Sequence, residues 1–274
     1  VSRVLNNHNN VSDETRLLVL QAAQALGYPL PEHGRGAQVF RTVLALMVQT
    51  TDPAGRGRSV DATFESVVWS GIEPVLAVKG VATKLQQSAM TPADADRLAS
   101  EAGIAGVIVL GGIVAHDFLE RLQVLGLPFV VVGSHAHPLR TDYVMADVAN
   151  GIRLAVNHLV ALGRRRIAFV NGPSTTGTSA AKLDGFRLGL ATNDLPFHIA
   201  HVAAAEFTPD AGHEQTAALL RLDPHLDAIV FADDRTALGG LKSLRQAHRQ
   251  VPQDVAVTGF GHLDIARYVT PTLT

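Results

Sequence analysis

The 274-residue sequence contains no cysteine. Disulfide bonds, thiolate metal sites and cysteine nucleophiles are therefore excluded, and the absence fits a reducing compartment. Long apolar stretches are also missing, because no segment reaches the roughly 18 consecutive apolar residues of a membrane-spanning helix. The first residues, Val1 to Val4, lack the apolar run of a secretory signal. These absences predict a cytoplasmic protein that spans no membrane.

Aromatic residues and excess charge are scarce. Aromatic side chains make up 5% of the chain, whereas hydrophobic residues make up 47%, enough for a sizeable core. This balance favours alternating strands and helices over a β-sandwich. The formal charge is only −2, so any contact with nucleic acid has to come from a local element rather than from a basic surface.

Motifs for catalysis and cofactor binding are absent as well. The chain has no Gly-x-Gly-x-x-Gly turn, no Gly-x-x-x-x-Gly-Lys-Ser/Thr loop and no Gly-x-Ser-x-Gly elbow. His213 and Glu214 lack the second histidine of a zinc-protease helix. His135 and His137 offer two metal ligands without an evident third, which is typical of an exposed loop. We therefore predict that the protein is not an enzyme and holds neither a cofactor nor a metal ion.

Short apolar runs recur from residue 42 onward, and most are rich in β-branched residues. Such continuous runs are typical of strands that helices cover on both faces. We predict strands at Val43–Val48, Val75–Val78, Val107–Leu110, Phe129–Val132, Ile167–Val170, Ile229–Ala232 and Val255–Thr258.

Segments with helical spacing lie between these runs. Thr91 suits the N-cap of a helix over 92–103, and apolar side chains repeat on one face over 150–163 and 235–248. The small-residue stretch 172–179 follows a strand end and is predicted as a loop, where α/β proteins hold ligands. The alternation indicates parallel sheets with helical crossovers. Two open sheets fit better than one closed barrel, although periodicity alone leaves the barrel open.

Residues 1–41 have a different pattern. Ser12 begins a predicted helix whose narrow apolar stripe ends at Gly27, and a shorter helical piece spans 2–6. A polar stretch at 7–10 joins the two helices, and a linker rich in proline and glycine follows. We therefore expect a small helical module tethered to a larger domain.

Many residues agree, in type and spacing, with the pattern of one protein family. The matching stretches are Val1–Asn6, Val11–Ser12, Thr15–Arg16, Val19, Ala22–Ala23, Leu26–Tyr28, His158–Leu159, Gly163–Phe169, Gly172–Pro173, Ala237–Gly239, Val251–Val255, Gly259–Phe260 and Thr270–Thr274. On these residues the chain resembles the lactose-repressor (LacI) family over essentially its whole length. The resemblance implies a two-lobed, periplasmic-binding-protein-like α/β core with parallel sheets, plus a partial helix-turn-helix headpiece.

The resemblance also implies an order of domains. Members of the family have further elements before and after the matching region, so we expect this sequence to be trimmed at both ends. The expected segments are a headpiece at 1–28, a hinge linker at 29–41, an N-terminal lobe at 42–147, a C-terminal lobe at 148–268 and the start of a crossover to the first lobe at 269–274.

The headpiece supplies the expected DNA contacts. In the family, the helix that begins near Val1 enters the major groove, where base edges can be read. By this resemblance Arg3 reaches a base or a nearby phosphate, and Ser2, Asn6 and Ser12 lie close to the DNA backbone. Without the resemblance, the same segment would be interpreted as a capped pair of surface helices.

The linker departs from the family pattern. Members insert a leucine from a short hinge helix into the minor groove. Here Gln38 stands at the expected position of that leucine, and two glycines weaken a helix. The hinge then either contacts DNA differently, with Arg35 taking part, or couples the core to DNA more weakly.

The resemblance places an effector cleft between the two lobes, at the carboxyl ends of the strands. Phe207 occupies the position of an aromatic residue that stacks on a sugar or a base, although it could also be an ordinary core phenylalanine. Lys182 stands in place of an arginine that clamps ligand oxygens, and Asp233 in place of an asparagine. Further expected contacts are Thr178, Ser174, Ser134 and His262.

Two further departures concern the chemistry of this cleft. Gly133 and Gly261 replace aspartates that, in several members, hold hydroxyl groups or ring nitrogens of the ligand. We therefore transfer no known ligand and expect a sugar-like or other polar metabolite.

The sequence thus predicts a DNA-binding transcription regulator, a repressor controlled by a small-molecule effector, which acts on operator DNA as a homodimer. Two alternatives stay open: a solute-binding receptor of a transport system, which shares the two-lobed core, and an α/β enzyme with an unfamiliar site.

Overall fold

The computed structural model describes residues 15, 42–48, 64–111, 115–134, 136–174 and 176–273. The chain divides into two compact units, residues 1–40 and 41–274. In the first unit Thr15 is helical, which agrees at this position with the helix predicted to begin at Ser12. The second unit contains two separate parallel sheets, so the closed barrel is excluded for the described residues.

The first sheet has five strands in the order β2-β1-β3-β4-β5, and every neighbouring pair is parallel. Its elements are β1 (Thr42–Val48), α1 (Phe64–Val78), β2 (Ala82–Ser88), α2 (Pro92–Ser100), β3 (Ile104–Leu110), α3 (His116–Val124), β4 (Phe129–Val132) and β5 (Asp142–Val144).

The second sheet has four parallel strands in the order β7-β6-β8-β9. Its elements are α4 (Val148–Ala161), β6 (Ile167–Asn171), α5 (Gly177–Ala191), a 3-10 turn (Ile199–His201), β7 (Val202–Ala204), α6 (Pro209–Leu222), β8 (Ala228–Phe231), α7 (Asp234–Gln246), β9 (Ala256–Thr258) and a second 3-10 turn (Asp264–Arg267).

Helices cover both faces of each sheet. In the first lobe Phe118 of α3 packs on one face and Ile72 of α1 on the other. In the second lobe Phe186 of α5 and Leu244 of α7 lie on opposite faces. Strands buried in this way need continuous apolar runs, which explains why the sequence identified them. The two-lobed α/β architecture is confirmed.

Local sequence signals also explain how individual helices begin. Thr91 caps α2 in a capping box: its hydroxyl accepts from the Asp94 amide at 3.3 Å, and the Asp94 carboxylate accepts from the Thr91 amide at 3.1 Å. The predicted N-cap is therefore confirmed. Among the described residues, no helix combines the length and apolar character needed to cross a bilayer.

One strand prediction is wrong. Residues Val75–Val78 form the last turn of α1, and the strand lies seven residues later, at β2. Among the described residues this strand pairs with β1 alone, which places it at the edge of its sheet. Because an edge strand is only partly covered, it tolerates the polar sequence of β2, and the apolar signal is lost. The edge strands β5 and β7 were not predicted because each has only three residues, too few to form a recognisable apolar pattern.

The loop prediction for 172–179 needs a correction as well. The loop ends at Thr176, whose hydroxyl accepts from the Ser179 amide at 3.3 Å and caps α5. Helix α5 therefore begins at Gly177, and Thr178 lies in its first turn rather than in a loop.

Candidate functional site

The carboxyl edge of the second sheet gathers most of the predicted effector residues. Loops and helix starts that follow β6, β7, β8 and β9 meet there, since the carboxyl ends of parallel strands share one edge. The predicted effector residues of this lobe that lie along these segments are Ser174, Thr178, Lys182, Phe207, Asp233 and His262. The sheet topology thus brings together residues that are far apart in sequence.

Lys182 is a buried cation at this edge. It projects from α5 with only 7% of its surface exposed, and its Nζ donates to the Ala232 carbonyl at 2.7 Å. The same Nζ lies 4.5 Å from the Phe260 ring centroid and 5.6 Å from that of Phe207. Contact with two aromatic faces stabilises a desolvated ammonium group.

Burial lowers the pKa of Lys182 from its usual 10.5 to about 8. The nearby carboxylates of Asp233 and Asp234 oppose this effect and favour the charged form. Lys182 is therefore mostly protonated at neutral pH, and it offers a point charge in a place with little competing water.

Phe207 packs beside Lys182 as part of the edge of the lobe core. Its ring lies against the backbone of Gly172, where a Cβ would come within 2.3 Å of the ring Cζ. This contact fixes the ring position. Phe260, which follows β9, was not predicted as a site residue, although an aromatic side chain directly after a buried strand was the signal that could have identified it.

Asp233 has a structural role in addition to its predicted one. Its carboxylate caps α7 by accepting from the Arg235 amide at 2.8 Å, and it also accepts from the Arg235 guanidinium at 3.1 and 3.2 Å. A ligand hydroxyl at Asp233 therefore has to share this carboxylate with Arg235.

The neighbouring Asp234 was not predicted as an effector contact. It is buried, and burial raises the pKa of its carboxyl group. Its Oδ2 accepts from the Leu263 amide at 2.7 Å, which ties the segment after β9 to the start of α7. Asp234 therefore positions the segment that carries Phe260 and His262.

Thr178 and Ser174 occupy different environments. Thr178 is partly buried, and its hydroxyl lies 3.4 Å from that of Thr176. Ser174 is exposed on the loop. His262 is also exposed, with its Nε2 3.1 Å from the Arg267 guanidinium. Ser174 and His262 thus lie at the rim, whereas Thr178 lies closer to Lys182 on the same helix.

Ser134 belongs to the first lobe and is buried directly after β4. It approaches α5 of the second lobe, because a Cβ on Gly177 would lie 3.5 Å from the Ser134 Oγ. The predicted residue of the first lobe therefore reaches the edge that carries the predicted residues of the second.

Phe64 is a further residue of the first lobe that the sequence analysis missed. It begins α1 and is 46% exposed, and its ring lies over Gly133. A Cβ on Gly133, whose φ is +93°, would come within 2.7 Å of the Phe64 Cε1. The aromatic ring thus lies against the position where the family resemblance expected an aspartate.

The predicted DNA contacts Ser2, Arg3, Asn6, Ser12 and Arg35 lie outside the described residues. Among the described residues, no group of three or more histidine, cysteine or acidic side chains could hold a metal ion. Surface grooves of about 450 and 430 Å³ lie elsewhere on the second unit, and none of their lining residues is a predicted effector contact.

Two family models match this chain. The model described as bacterial regulatory proteins, lacI family, matches residues 1–29. The periplasmic binding protein-like domain matches residues 156–274. The headpiece and the second lobe are therefore matched independently.

Similar proteins are regulators. The HTH-type transcriptional regulator CelR of Thermobifida fusca is 30% identical over 283 residues, covering 100% of this chain and 81% of its own. MalR of Streptomyces coelicolor is 29% identical, with coverage of 100% and 79%, and the repressor CytR of Escherichia coli is 28% identical with the same coverage.

Solved structures agree with these relatives. The complex of transcriptional regulator CelR with cellobiose has a TM-score of 0.74 at 28% identity, covering 99% of this chain and 81% of the other. A LacI-family regulator from Enterococcus faecium with bound ribose has a TM-score of 0.69 at 25% identity, covering 85% and 82%.

Proposed function

This chain belongs to the lacI family of bacterial regulatory proteins, and we propose that its effector is a sugar held at the carboxyl edge of the second sheet. The protein is a DNA-binding transcriptional repressor controlled by a small-molecule effector. A solute-binding receptor is not favoured, because residues 1–29 match the DNA-binding part of the family.

The observation that carries the proposal is the convergence of Lys182, Phe207 and Phe260 at this edge. Aromatic faces stack on the apolar faces of sugar rings, and a few placed polar groups then orient the hydroxyls. Lys182 supplies such a donor from a buried position. Two similar regulators have solved structures with cellobiose and with ribose, which supports the same ligand class here.

Each remaining effector residue has a role in this proposal. Lys182 donates to a ligand oxygen, and the Asp233 carboxylate accepts from a ligand hydroxyl as well as from Arg235. Thr178 and Ser134 contact hydroxyls from the two lobes. Ser174 and His262 lie at the rim, where they contact only a ligand that extends beyond the first ring.

The first lobe gives the site a particular character. Phe64 covers Gly133 and replaces a carboxylate with an apolar surface. Gly261, also without a side chain, removes a second carboxylate from the rim. The proposed effector is therefore bound with more ring stacking and fewer carboxylate contacts than the family resemblance alone suggests.

The DNA contacts and the assembly state are also proposals. We infer that Ser2, Arg3, Asn6, Ser12 and Arg35 contact a two-fold symmetric operator in the cytoplasm, and that the protein acts as a homodimer.

The symmetry of the proposed operator supports a homodimer, because a two-fold symmetric site offers two equivalent half-sites to two copies of one chain. Because the relatives are regulators, no catalytic reaction is proposed.

Effector binding is tested by thermal-shift titration of the purified chain with cellobiose, maltose and ribose. A ligand at a hundredfold excess over its dissociation constant stabilises the fold by about 2.7 kcal/mol. Phe207→Leu keeps most of the volume but removes the flat ring, so we expect affinity to fall roughly tenfold, as for a loss of about 1.4 kcal/mol.

Phe197→Leu is the matched control, because Phe197 is a partly buried phenylalanine of the same core that lies away from the cleft edge. It should lower thermal stability without changing ligand affinity. If a sugar binds the wild type and Phe207→Leu with equal affinity, Phe207 does not contact the ligand. If none of the sugars stabilises the wild type, the proposed ligand class is wrong.

A further inference from the structure

A second candidate site lies on the outer side of the second lobe, between α6 and α7. The two helices make very close contact near their amino ends. A Cβ on Gly212 would lie 2.1 Å from the Thr236 carbonyl oxygen, and one on Gly239 would lie 1.7 Å from that of Pro209. This crossing holds the two helix backbones together at one point.

Beyond the crossing the facing side chains are small, and a groove remains. Ala217 on α6, Ser243 on α7 and Ala247 just past the end of α7 all line this space and only partly fill it. The groove has a volume of about 430 Å³, which falls within the range for small-molecule sites. Leu220 and the two alanines give it apolar walls.

The rim of the groove is cationic. Arg221 and Arg249 both line the groove, and none of the lining residues is acidic. Arg249 is held in place because its guanidinium donates to the Pro224 carbonyl. An arginine that is oriented before binding loses less entropy when it contacts an anion.

Two polar side chains line the groove between its cationic rim and its apolar walls. His213 lies on α6, and Ser243 lies on α7 and is only 3% exposed. An imidazole N–H and a serine hydroxyl can each donate a hydrogen bond to an oxygen of a bound anion.

We propose that this groove, defined by His213, Ala217, Leu220, Arg221, Ser243, Gln246, Ala247 and Arg249, binds a small organic anion. The ligand carries a carboxylate or phosphate group on a short apolar body. The anionic group lies between Arg221 and Arg249, and the apolar body lies on Ala217, Leu220 and Ala247. This site is independent of the effector cleft, because the two share no residue.

The probes are phenyl phosphate and benzoate, with benzyl alcohol as the neutral counterpart, titrated into the full chain by calorimetry. We expect saturable binding of at least one anion and none of benzyl alcohol in the same range. Arg221→Gln should weaken anion binding at least fivefold, because it removes a charged partner. Ala217→Met, which fills the groove, should weaken it by a similar factor or more.

Matched controls lie on the exposed faces of the same helices. Arg245→Gln and Ala218→Met change residues that are exposed and do not line the groove, so both should bind the anion like the wild type. Melting curves of each variant establish that it is folded. If Ala217→Met does not fold, the comparison of Arg221→Gln with Arg245→Gln still tests whether the anion binds in this groove.

Lys182→Met separates this site from the effector cleft. The proposal expects unchanged anion binding in this variant, whereas its loss would place the anion in the cleft. The proposal is also overturned if Arg221→Gln and Arg245→Gln weaken anion binding equally, or if benzyl alcohol binds as tightly as the anions. It is likewise overturned if neither anion shows saturable binding up to about 10 mM, a concentration that would saturate even a weak site with a Kd of about 1 mM.

Discussion

Burial of Lys182 destabilises the folded chain, although the same residue is proposed to bind the effector. Its ammonium group is buried against two aromatic rings and a carbonyl. Burial lowers its pKa from 10.5 to about 8, which corresponds to roughly 3 kcal/mol of lost folding free energy at neutral pH. Residues with strongly shifted pKa values cluster at functional sites, which supports the proposed role of Lys182 in effector binding.

The sign of the pH dependence follows from this lowered pKa. Between about pH 8 and pH 10.5 Lys182 is largely neutral in the folded chain but protonated in the unfolded chain. The unfolded state then binds more protons, so the free energy of unfolding rises with pH across this window. In Lys182→Met we expect that rise to be smaller by up to about 3 kcal/mol, as measured by urea unfolding at several pH values.

Lys242→Met is the control for this measurement, because Lys242 is exposed on α7. It should reproduce the wild-type dependence on pH. Parallel stability curves for the wild type and Lys182→Met would show that Lys182 is not buried as a cation. Effector affinity should fall in Lys182→Met, even where its stability equals or exceeds that of the wild type.

At the scale of elements, the close crossing of α6 and α7 sets the geometry of the second lobe. Both helices begin at the cleft edge: α6 follows Phe207, and α7 follows Asp233. Their contact at Gly212 and Gly239 leaves no room for a side chain. The same crossing thus fixes the start of each helix at the cleft and the groove on the outer side.

Gly239→Ala tests this crossing. The new Cβ would meet the Pro209 carbonyl oxygen at 1.7 Å, and the backbone has to shift. We expect the free energy of unfolding to fall by about 1–3 kcal/mol or more, as in other overpacked cores. Urea unfolding of the wild type and the variant gives this difference directly.

Gly71→Ala is the matched control within another helix. Nothing lies within 4 Å of a Cβ at Gly71 in α1, so the substitution should be neutral or stabilise by up to about 1 kcal/mol. A Gly239→Ala variant as stable as the wild type would mean that the two helices are not in close contact.

At the scale of the whole molecule, the effector has to act on DNA through the relative stability of two states of the protein. A ligand shifts such an equilibrium only by its differential affinity for the two states. The coupling is reciprocal, so operator DNA has to change effector affinity by the same factor.

Operator binding is therefore expected to depend strongly on salt. The logarithm of the binding constant should fall linearly with that of the salt concentration, because phosphate contacts release counterions. Arg3→Ala should weaken binding: a loss of about 1–3 kcal/mol at one base position indicates base contact, whereas a reduced salt slope indicates phosphate contact. Fluorescence anisotropy with upstream DNA fragments measures both.

The control is Arg245→Ala, which removes an exposed arginine of the core and should leave DNA binding unchanged. Binding that does not respond to salt, or no binding to any two-fold symmetric site, would argue against the regulator's proposed DNA contacts.

The sequence by itself determined the parts of this protein that depend on local signals. Buried strands such as β3 and β8 need uninterrupted apolar residues, and the Thr91 cap of α2 depends on its own neighbours. Both could be predicted because the physical cause lies within a few residues. The match of residues 1–29 to the family likewise depends on residue types at fixed spacing.

Only the tertiary structure decided the rest, because the cause lies in residues distant along the chain. Val75–Val78 is helical, and β2 is a strand, because of where each packs on the sheet. Phe64 covers Gly133, and Phe260 contacts Lys182, only once the strands are paired. Side-chain convergence and close helix contact are long-range properties, and no local pattern in the sequence records them.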